Sequence, residues 1–367
     1  MILKGSPFKN LSVQELAEQI ISKSKCRNKL PTWFDAQRIY YPKPINIEQT
    51  SSEIAAQYKA DLVEGNALLD LTGGFGVDSY YFSKKMDRVV HCEIDAELSK
   101  IAAHNFQILG ADHISCVNGD GIEFLKTSSD NFDWIYLDPS RRSDHKGKVF
   151  LLQDCSPDVP ENLDMILSKT KRIMLKLSPV LDIKAAVGSL KFVKEIHVIA
   201  IRNEVKELLL LIEKNNTAQI KIRTVNIKKD GRDHFESEYG KEESAPVASP
   251  QKYLYEPNAA ILKAGLFNEV SKDLNIYKLH KNSHLYTSDK LISFPGRSFL
   301  IEAVLKYSPK EIKKNLALKK ANITIRNFQE SVAQIRKRTG IKEGGEDYLF
   351  FTTDATGRAI VIHCKKV

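Results

Sequence analysis

Near the middle of the chain, two apolar runs, Glu195–Ile201 and Lys206–Ile212, are separated only by Arg202-Asn203-Glu204-Val205. Returning a chain to a parallel neighbour takes about a dozen residues or more, so these two strands must form an antiparallel hairpin. The runs before it follow a different rule. Strands are predicted at Ala67–Leu71, Arg88–Glu93, His113–Asn118, Phe132–Asp138 and Arg172–Ser178, alternating with helices at Val77–Lys85, Ala96–Leu109, Gly121–Lys126, roughly Pro160–Lys169 and Ile183–Leu190. Such alternation builds a parallel sheet with helices on both faces. The chain therefore reads as an α/β protein with a seven-stranded sheet, parallel except for its terminal antiparallel hairpin.

Ligands of an open α/β sheet bind beyond the carboxyl ends of its strands, and four polar signals fall there. The first strand ends at Asp70 and enters Leu71-Thr72-Gly73-Gly74-Phe75-Gly76, a loop whose glycines let backbone approach a ligand, followed by a helix start. The second strand ends in Glu93, nineteen residues after Gly74, where a carboxylate can accept both ribose hydroxyls of an adenosine. Asp120, in Asn118-Gly-Asp-Gly121, can accept the exocyclic N–H of adenine. Asp138 opens Asp138-Pro139-Ser140-Arg141-Arg142; an acid followed by proline there can receive an N–H of an amine acceptor. The loop has Ser79 where a dinucleotide fingerprint wants its third small packing residue, and Asp70 sets a negative charge where a pyrophosphate would be repelled and an ammonium welcomed. S-adenosylmethionine carries an ammonium and no phosphate. The residues thus favour it over NAD, although a nicotinamide-dependent oxidoreductase stays open on the loop alone.

Outside this core the signals are looser. Val13, Leu16, Ala17, Ile20 and Ile21 recur at helical spacing, Tyr40–Pro44 should run extended, and Glu48–Lys59 reads as one helix capped by Thr50, Ser51 or Ser52. The latter stretch is either a plain capping sequence or a lid whose Gln49 and Ser51 face the amino-acid end of the cofactor. Beyond the hairpin, Ile220, Ile222, Val225 and Ile227 alternate in a way that could extend a sheet, Ser244–Pro250 reads as linker, and Asn258–Leu274 reads as a helix. From Phe294 a second small unit is expected, with helices near Lys310–Leu316 and Glu330–Thr339 and strands at Asn322–Ile325, Asp347–Thr352 and Ala359–Cys364. Residues 306–342 hold eleven Lys or Arg against two acids in a chain of net charge +9. That is either a solvated basic face or a nucleic-acid anchor, in which Lys319, Lys320, Arg326, Arg336, Lys337 and Arg338 would contact RNA, with Arg326 and Phe328 offering a stacking pair. The five cysteines show no Cys-x-x-Cys pair, so neither zinc nor a disulfide framework is indicated, and a reduced, cytoplasmic compartment fits. No run approaches membrane-spanning length.

With these residues in place, a resemblance can be stated. From about residue 48 to 212 the chain resembles class I S-adenosylmethionine-dependent methyltransferases, whose Rossmann-like sheet ends in such a hairpin. Leu68–Asp78 is similar to their first motif, with Thr72 in place of the usual first glycine; Val90–Asp95 resembles the ribose motif, Gly119-Asp120 the adenine motif and Asp138-Pro139 the acceptor motif. Glu48–Glu53 with Tyr58-Lys-Ala60, Leu175–Pro179, and Lys320–Ile323 with Arg326–Phe328 extend the likeness to bacterial methyltransferases that carry a C-terminal THUMP-like domain. The core also resembles RNA methyltransferases of the trimethylguanosine synthase type.

The resemblance implies an organisation of 1–60 as a helical N-terminal region or lid, 61–222 as the cofactor domain, 223–253 as linker, 254–293 as a small ferredoxin-like piece and 294–367 as the THUMP-like domain. It implies Asp70, Thr72, Gly73, Gly74, Gly76, Glu93 and Asp120 around the cofactor, Asp138, Pro139, Ser140 and Arg141 at the reacting end, and RNA as the methyl acceptor at a base amino nitrogen. Arg141 and Arg142 replace the proline and stacking aromatic usual after the acid and proline; they could stack, bind phosphate or form a loop salt bridge. No cysteine lies in Asp138–Arg142, which disfavours C5-pyrimidine chemistry. Methylation of a protein or small molecule, or a noncatalytic role in RNA binding, are the competing expectations; the oligomeric state is open.

Overall fold

Apolar residues at consecutive positions, rather than alternate ones, mark strands covered on both faces. Leu68 and Leu69, Val89 and Val90, and Ile173 to Leu175 are each at most 2% exposed in the computed structural model, which describes residues 8, 12–141, 151–241 and 244–367. Contacts divide the chain into two compact units, Met1–His197 with Lys206–Ile220, and Val198–Val205 with Lys221–Val367.

Strands β1 (Ala67–Asp70), β2 (Arg88–Glu93), β3 (Ile114–Asn118), β4 (Phe132–Leu137), β5 (Thr170–Leu177), β6 (Val193–Ile201) and β7 (Glu204–Glu213) lie in the order β6-β7-β5-β4-β1-β2-β3. β1 pairs in parallel with β2 and β4, β2 with β3, and β4 with β5, whereas β7 runs antiparallel to β5. The expected hairpin is present. Its turn is the pair Arg202-Asn203, both left-handed at φ 51° and 64°, the geometry that lets a two-residue turn match strand twist. Its return strand is inserted between β5 and β6, an order that loop lengths leave open.

The helices of this unit are α1 (Val13–Lys29), α2 (Pro31–Asp35), α3 (Pro44–Gln49), α4 (Glu53–Ala60), α5 (Val77–Phe82), α6 (Ala96–Ile108), α7 (Gly121–Thr127), α8 (Val159–Lys169) and α9 (Ile183–Gly188). Two expectations need correcting. Pro44 opens α3 instead of ending an extended run, because its fixed φ suits a first helical turn. The stretch Glu48–Lys59 is also broken in two: α3 stops at Gln49, and Ser52 caps α4 by accepting from the Ala55 N–H at 3.3 Å.

Strands β8 (Lys221–Lys228) and β9 (Gly231–Glu238) form an antiparallel hairpin next to β6 in the strand order, so the alternating piece does extend the sheet, and much of the stretch read as linker is strand. A seven-stranded sheet follows, from β10 (Tyr253–Pro257), β11 (Tyr277–Lys278), β12 (Tyr286–Ser288), β13 (Gly296–Lys306), β14 (Asn322–Ile325), β15 (Asp347–Thr353) and β16 (Ala359–Lys366), ordered β11-β12-β10-β13-β16-β15-β14. The helix expected over Asn258–Leu274 is α10 (Ala259–Ala264) and α11 (Phe267–Asp273), interrupted at Gly265 with φ 73°. Helices α12 (Pro309–Leu316) and α13 (Val332–Thr339) pack Ile312 and Ile335 with Leu349, Phe351 and Val361. Among the described residues no helix is long and apolar enough to cross a membrane.

The first unit has a charged knot at its centre. Lys59 on α4 is fully buried. Its Nζ donates to Ser51 Oγ at 2.6 Å and Glu207 Oε2 on β7 at 2.8 Å, and pairs with Asp78 Oδ1 on α5 at 2.8 Å. Asp78 Oδ2 accepts from Ser51 Oγ at 2.8 Å and Tyr136 Oη at 2.7 Å. Removing the ammonium would strand two carboxylates in a low-dielectric interior. Lys59→Met should therefore cost about 3–5 kcal/mol of stability in chemical denaturation, and adding Asp78→Asn and Glu207→Gln should recover part of that loss.

Candidate active site

Backbone donors and side-chain acceptors lace the carboxyl ends of β1, β2, β3 and β4 into one rim. Gly73 N–H donates to Cys92 O at 2.7 Å and Gly74 N–H to Glu93 Oε2 at 2.7 Å, while Glu93 Oε1 accepts from Asp95 N–H at 2.8 Å. Gly119 N–H donates to Glu93 O at 3.0 Å. Thr72 has a clear role despite replacing a glycine: its Oγ1 accepts the Asp138 N–H at 2.7 Å, tying the loop after β1 to the end of β4. Asp120 caps α7, with Oδ1 accepting from Ile122 N–H at 2.8 Å and Glu123 N–H at 3.2 Å, and is exposed. The four signals read separately along the chain thus share one edge.

The glycines divide the work. A Cβ on Gly73 would fall 2.1 Å from the His91 ring beneath it, so Gly73 is a packing requirement. Gly74 stands at φ 58°, and its missing Cβ faces space, with nothing nearer than Thr72 O at 3.9 Å. Gly76 ends the loop as the N-cap of α5. The approachable backbone lies at Gly74, beside the Glu93 carboxylate.

Asp70 is only 1% exposed. Its Oδ1 accepts from Thr72 N–H at 3.0 Å and its Oδ2 from Ser79 Oγ at 2.6 Å, so it braces the loop from below. Burial pushes its carboxyl up to about 7, against the pull of those two hydrogen bonds, with Asp78 and Asp138 adding repulsion. His91 Nδ1 lies 3.0 Å from Ser79 Oγ, and burial drops this imidazole to about 4, so it is neutral at neutral pH. With Asp70 ionised, Ser79 donates to it and accepts from a His91 Nδ1–H.

Asp138 is half-buried, Pro139 buried and Ser140 exposed. The Ser140-Arg141 backbone forms a short antiparallel ladder with Cys155-Ser156. The Asp138 carboxylate pairs with Lys176 Nζ from β5. Burial raises Asp138 above the ordinary carboxylate range, while Lys176 works to lower it. Burial opposes the Lys176 charge too, yet Asp138, Glu207 and Asp78 together hold it above the ordinary lysine value. Sequence reasoning gave Lys176 no role. Its signal was a charged residue inside the apolar run Ile173–Leu177, a position where lysine persists only when paired. Ile94 was also missed: it is 71% exposed immediately after Glu93 and offers an apolar surface at the rim.

Several other expected residues lie elsewhere. Ser51 is 3% exposed and engaged with Lys59 and Asp78, whereas Gln49 is exposed at the end of α3. In the second unit Arg326 pairs with Glu256 at 2.8 Å, Arg338 with Glu330 at 2.9 Å, and Arg336 with Glu343 as well as donating to Ile341 O at 3.1 Å. Phe328 packs edge-on against Tyr307 and Phe351, so the stacking pair expected with Arg326 is taken up by the core. Lys319, Lys320 and Lys337 are exposed. Arg142 lies outside the described residues. Among the described residues one group of possible metal ligands stands together, Glu302, Asp347 and His363, and Lys365 pairs with that Asp347 at 2.8 Å.

Residues 253–295 match the model of a ferredoxin-like domain and residues 296–366 that of a THUMP domain-like family. A crystal structure from Porphyromonas gingivalis, described as that of a candidate methyltransferase, is 34% identical, superposes with a TM-score of 0.92 and aligns over 100% of this chain and 94% of its own. The chain belongs to the class I methyltransferases with a C-terminal THUMP-like domain. Two proteins from different strains of Mycobacterium tuberculosis, each named an uncharacterized S-adenosylmethionine-dependent methyltransferase, are 24% identical over 252 residues. That match covers 67% of this chain and spans 65% of the length of those relatives.

The rim suits this family's cofactor. Gly74 leaves open space beside its backbone, carboxylate acceptors stand at Glu93 and Asp120, and Ile94 supplies an apolar face. Asp70 yields a pH test. Its folded pKa of about 7 exceeds the unfolded value, so the folded state holds a proton that the unfolded chain has released. That contribution to stability is complete below about pH 4 and lost as pH rises through about 7. Asp70→Asn should therefore gain stability relative to the wild type as pH increases across this window, as read by paired denaturation curves; a constant difference would place the proton elsewhere.

Proposed function

We propose that this chain transfers a methyl group from S-adenosylmethionine to a base amino nitrogen of RNA. The observation that carries the reading is the half-buried Asp138, followed by buried Pro139 at the end of β4 and joined through Thr72 to the loop whose open backbone suits the cofactor. Glu93 and Asp120 would hold the adenosine, with Asp70, Thr72, Gly73 and Gly76 maintaining the loop around Gly74. Gln49 and Ser51 would act on the lid side, Ser51 through its hydrogen bonds to Lys59 and Asp78. Bound S-adenosylmethionine supplies an electrophilic methyl on a sulfonium.

The protein's contribution is positioning and desolvation. The Asp138 carboxylate accepts an N–H of the amine, turns the nitrogen lone pair toward the methyl, and can take the proton the nitrogen sheds. Lys176 favours the ionised form that this needs. Ser140 and Arg141 follow Pro139 in a backbone ladder that fixes the exit of the motif. RNA as acceptor is supported by the match to the THUMP domain-like family and by exposed Lys319, Lys320 and Lys337; Arg326, Arg336 and Arg338 would contribute through the charge left after their ion pairs. The five cysteines are free thiols, consistent with a reducing, cytoplasmic setting.

Tritium from labelled S-adenosylmethionine should appear in RNA; appearance in protein alone would sink the RNA reading. Asp138→Asn should lower transfer by about 100-fold or more while cofactor affinity stays near wild type. Glu93→Ala should mainly weaken cofactor binding in calorimetry. Lys176→Met should move the acid limb of the pH–rate profile upward, because Asp138 loses the ammonium that keeps it ionised. A profile lowered equally at every pH would give Lys176 a purely structural part.

A further inference from the structure

The second compact unit contains a cleft of about 510 Å³ whose lining residues all belong to that unit. They come from three separate pieces: the β6–β7 turn, the β8–β9 hairpin, and the sheet holding β10, β13 and β16. The lining includes Arg202, Lys228, Lys229, Arg297 and Lys366 and one acidic side chain, Asp233. Asp233 pairs with Lys228 at 2.6 Å. Arg297 is oriented by Glu256, to which its Nε donates at 2.8 Å, and that carboxylate is shared with Arg326. Among the described residues no carboxylate forms an ion pair with Arg202, Lys229 or Lys366, so the cleft keeps a cationic surplus.

A second observation is independent of charge. Asn258 lines the cleft and is 3% exposed. Its Oδ1 caps α10 by accepting from Ile261 N–H at 3.1 Å, but its buried Nδ2 has no partner. A buried amide donor without an acceptor is costly and calls for an anionic or carbonyl oxygen. Arg202, on the β6–β7 turn, lines the same cleft.

We infer that this cleft binds phosphodiester groups of the RNA strand, with Asn258 Nδ2 donating to a phosphate oxygen and Arg202, Lys229 and Lys366 supplying the countercharge. The inference rests on the RNA reading above and adds a site that the exposed lysines of residues 306–342 do not include. Arginine and lysine at several points of one concave surface, together with a preset amide donor, suit a bent or single strand better than a flat duplex face.

The full chain, titrated with a short fluorescein-labelled RNA oligonucleotide across a salt series, tests it. Replacing Arg202, Lys229 and Lys366 together by alanine should weaken binding about tenfold and reduce the slope of log affinity against log salt by about 2, at roughly 0.7 per single-strand phosphate contact. Asn258→Asp preserves the helix cap but replaces the amide donor by a carboxylate, and should weaken binding with melting temperature unchanged. Wild-type affinity and slope in the triple variant would overturn the cleft while leaving the RNA reading intact. A loss in the triple variant with Asn258→Asp unaffected would also overturn it, since the cations would then be diffuse surface charge. Inorganic phosphate bound in the cleft with RNA affinity insensitive to the substitutions would assign it to a small anion instead. A wild-type chain that binds no RNA, or binds an acidic polypeptide through the same side chains, would refute the RNA reading together with this inference.

Discussion

One buried ammonium holds the catalytic unit together. Lys59 reaches from α4 to Asp78 on α5 and to Glu207 on β7, a strand far along the chain, and Ser51 closes the circuit from the α3–α4 junction. A single cation cannot neutralise two carboxylates by itself. The imbalance is met from the other side by Lys176, whose charge is favoured by Asp138, Glu207 and Asp78. The residue proposed to meet the acceptor is therefore electrostatically continuous with the residues that fasten the N-terminal helices. Buried ionic groups of this sort contribute geometry more than net stability, because desolvation offsets much of their attraction.

That continuity explains why the rim is held by so many backbone bonds. Gly73, Gly74, Glu93 and Gly119 are linked in series, and Thr72 extends the link to Asp138, so a displacement at one strand end is passed to the next. Asp70 and His91 lie below this layer with Ser79 between them. Their opposite departures from ordinary values share a cause, since burial disfavours the charged form of both. The negative charge assigned to Asp70 from sequence is thus conditional on pH, while Glu93 is half-buried and Asp120 exposed at the strand ends.

In the second unit a count of basic residues overstates the free charge. Eleven Lys or Arg fall within residues 306–342, but Arg326, Arg336 and Arg338 are engaged with Glu256, Glu343 and Glu330. The cations of the cleft are Arg202, Lys228, Lys229, Arg297 and Lys366, drawn from positions scattered over the chain. Only folding brings them to one place.

Local pattern carried the fold far. Consecutive apolar residues, glycine and proline punctuation and a four-residue spacing between two strands were enough to read a parallel sheet ended by a hairpin and to put Gly74, Glu93, Asp120 and Asp138 at strand ends, because strand direction and period are short-range properties of the chain. The insertion of β7 between β5 and β6, the break between α3 and α4, and the partners of Lys59 and Lys176 were invisible, since each depends on contacts between distant segments. The buried polar groups make the same point: Lys59 looks like any helix-surface lysine until Asp78 and Glu207 are set beside it. Sequence by itself determined that Gly74, Glu93, Asp120 and Asp138 stand at strand ends; tertiary structure added Ile94 and Lys176 beside them and decided which residues brace the rim, because burial and charge pairing are properties of the packed whole.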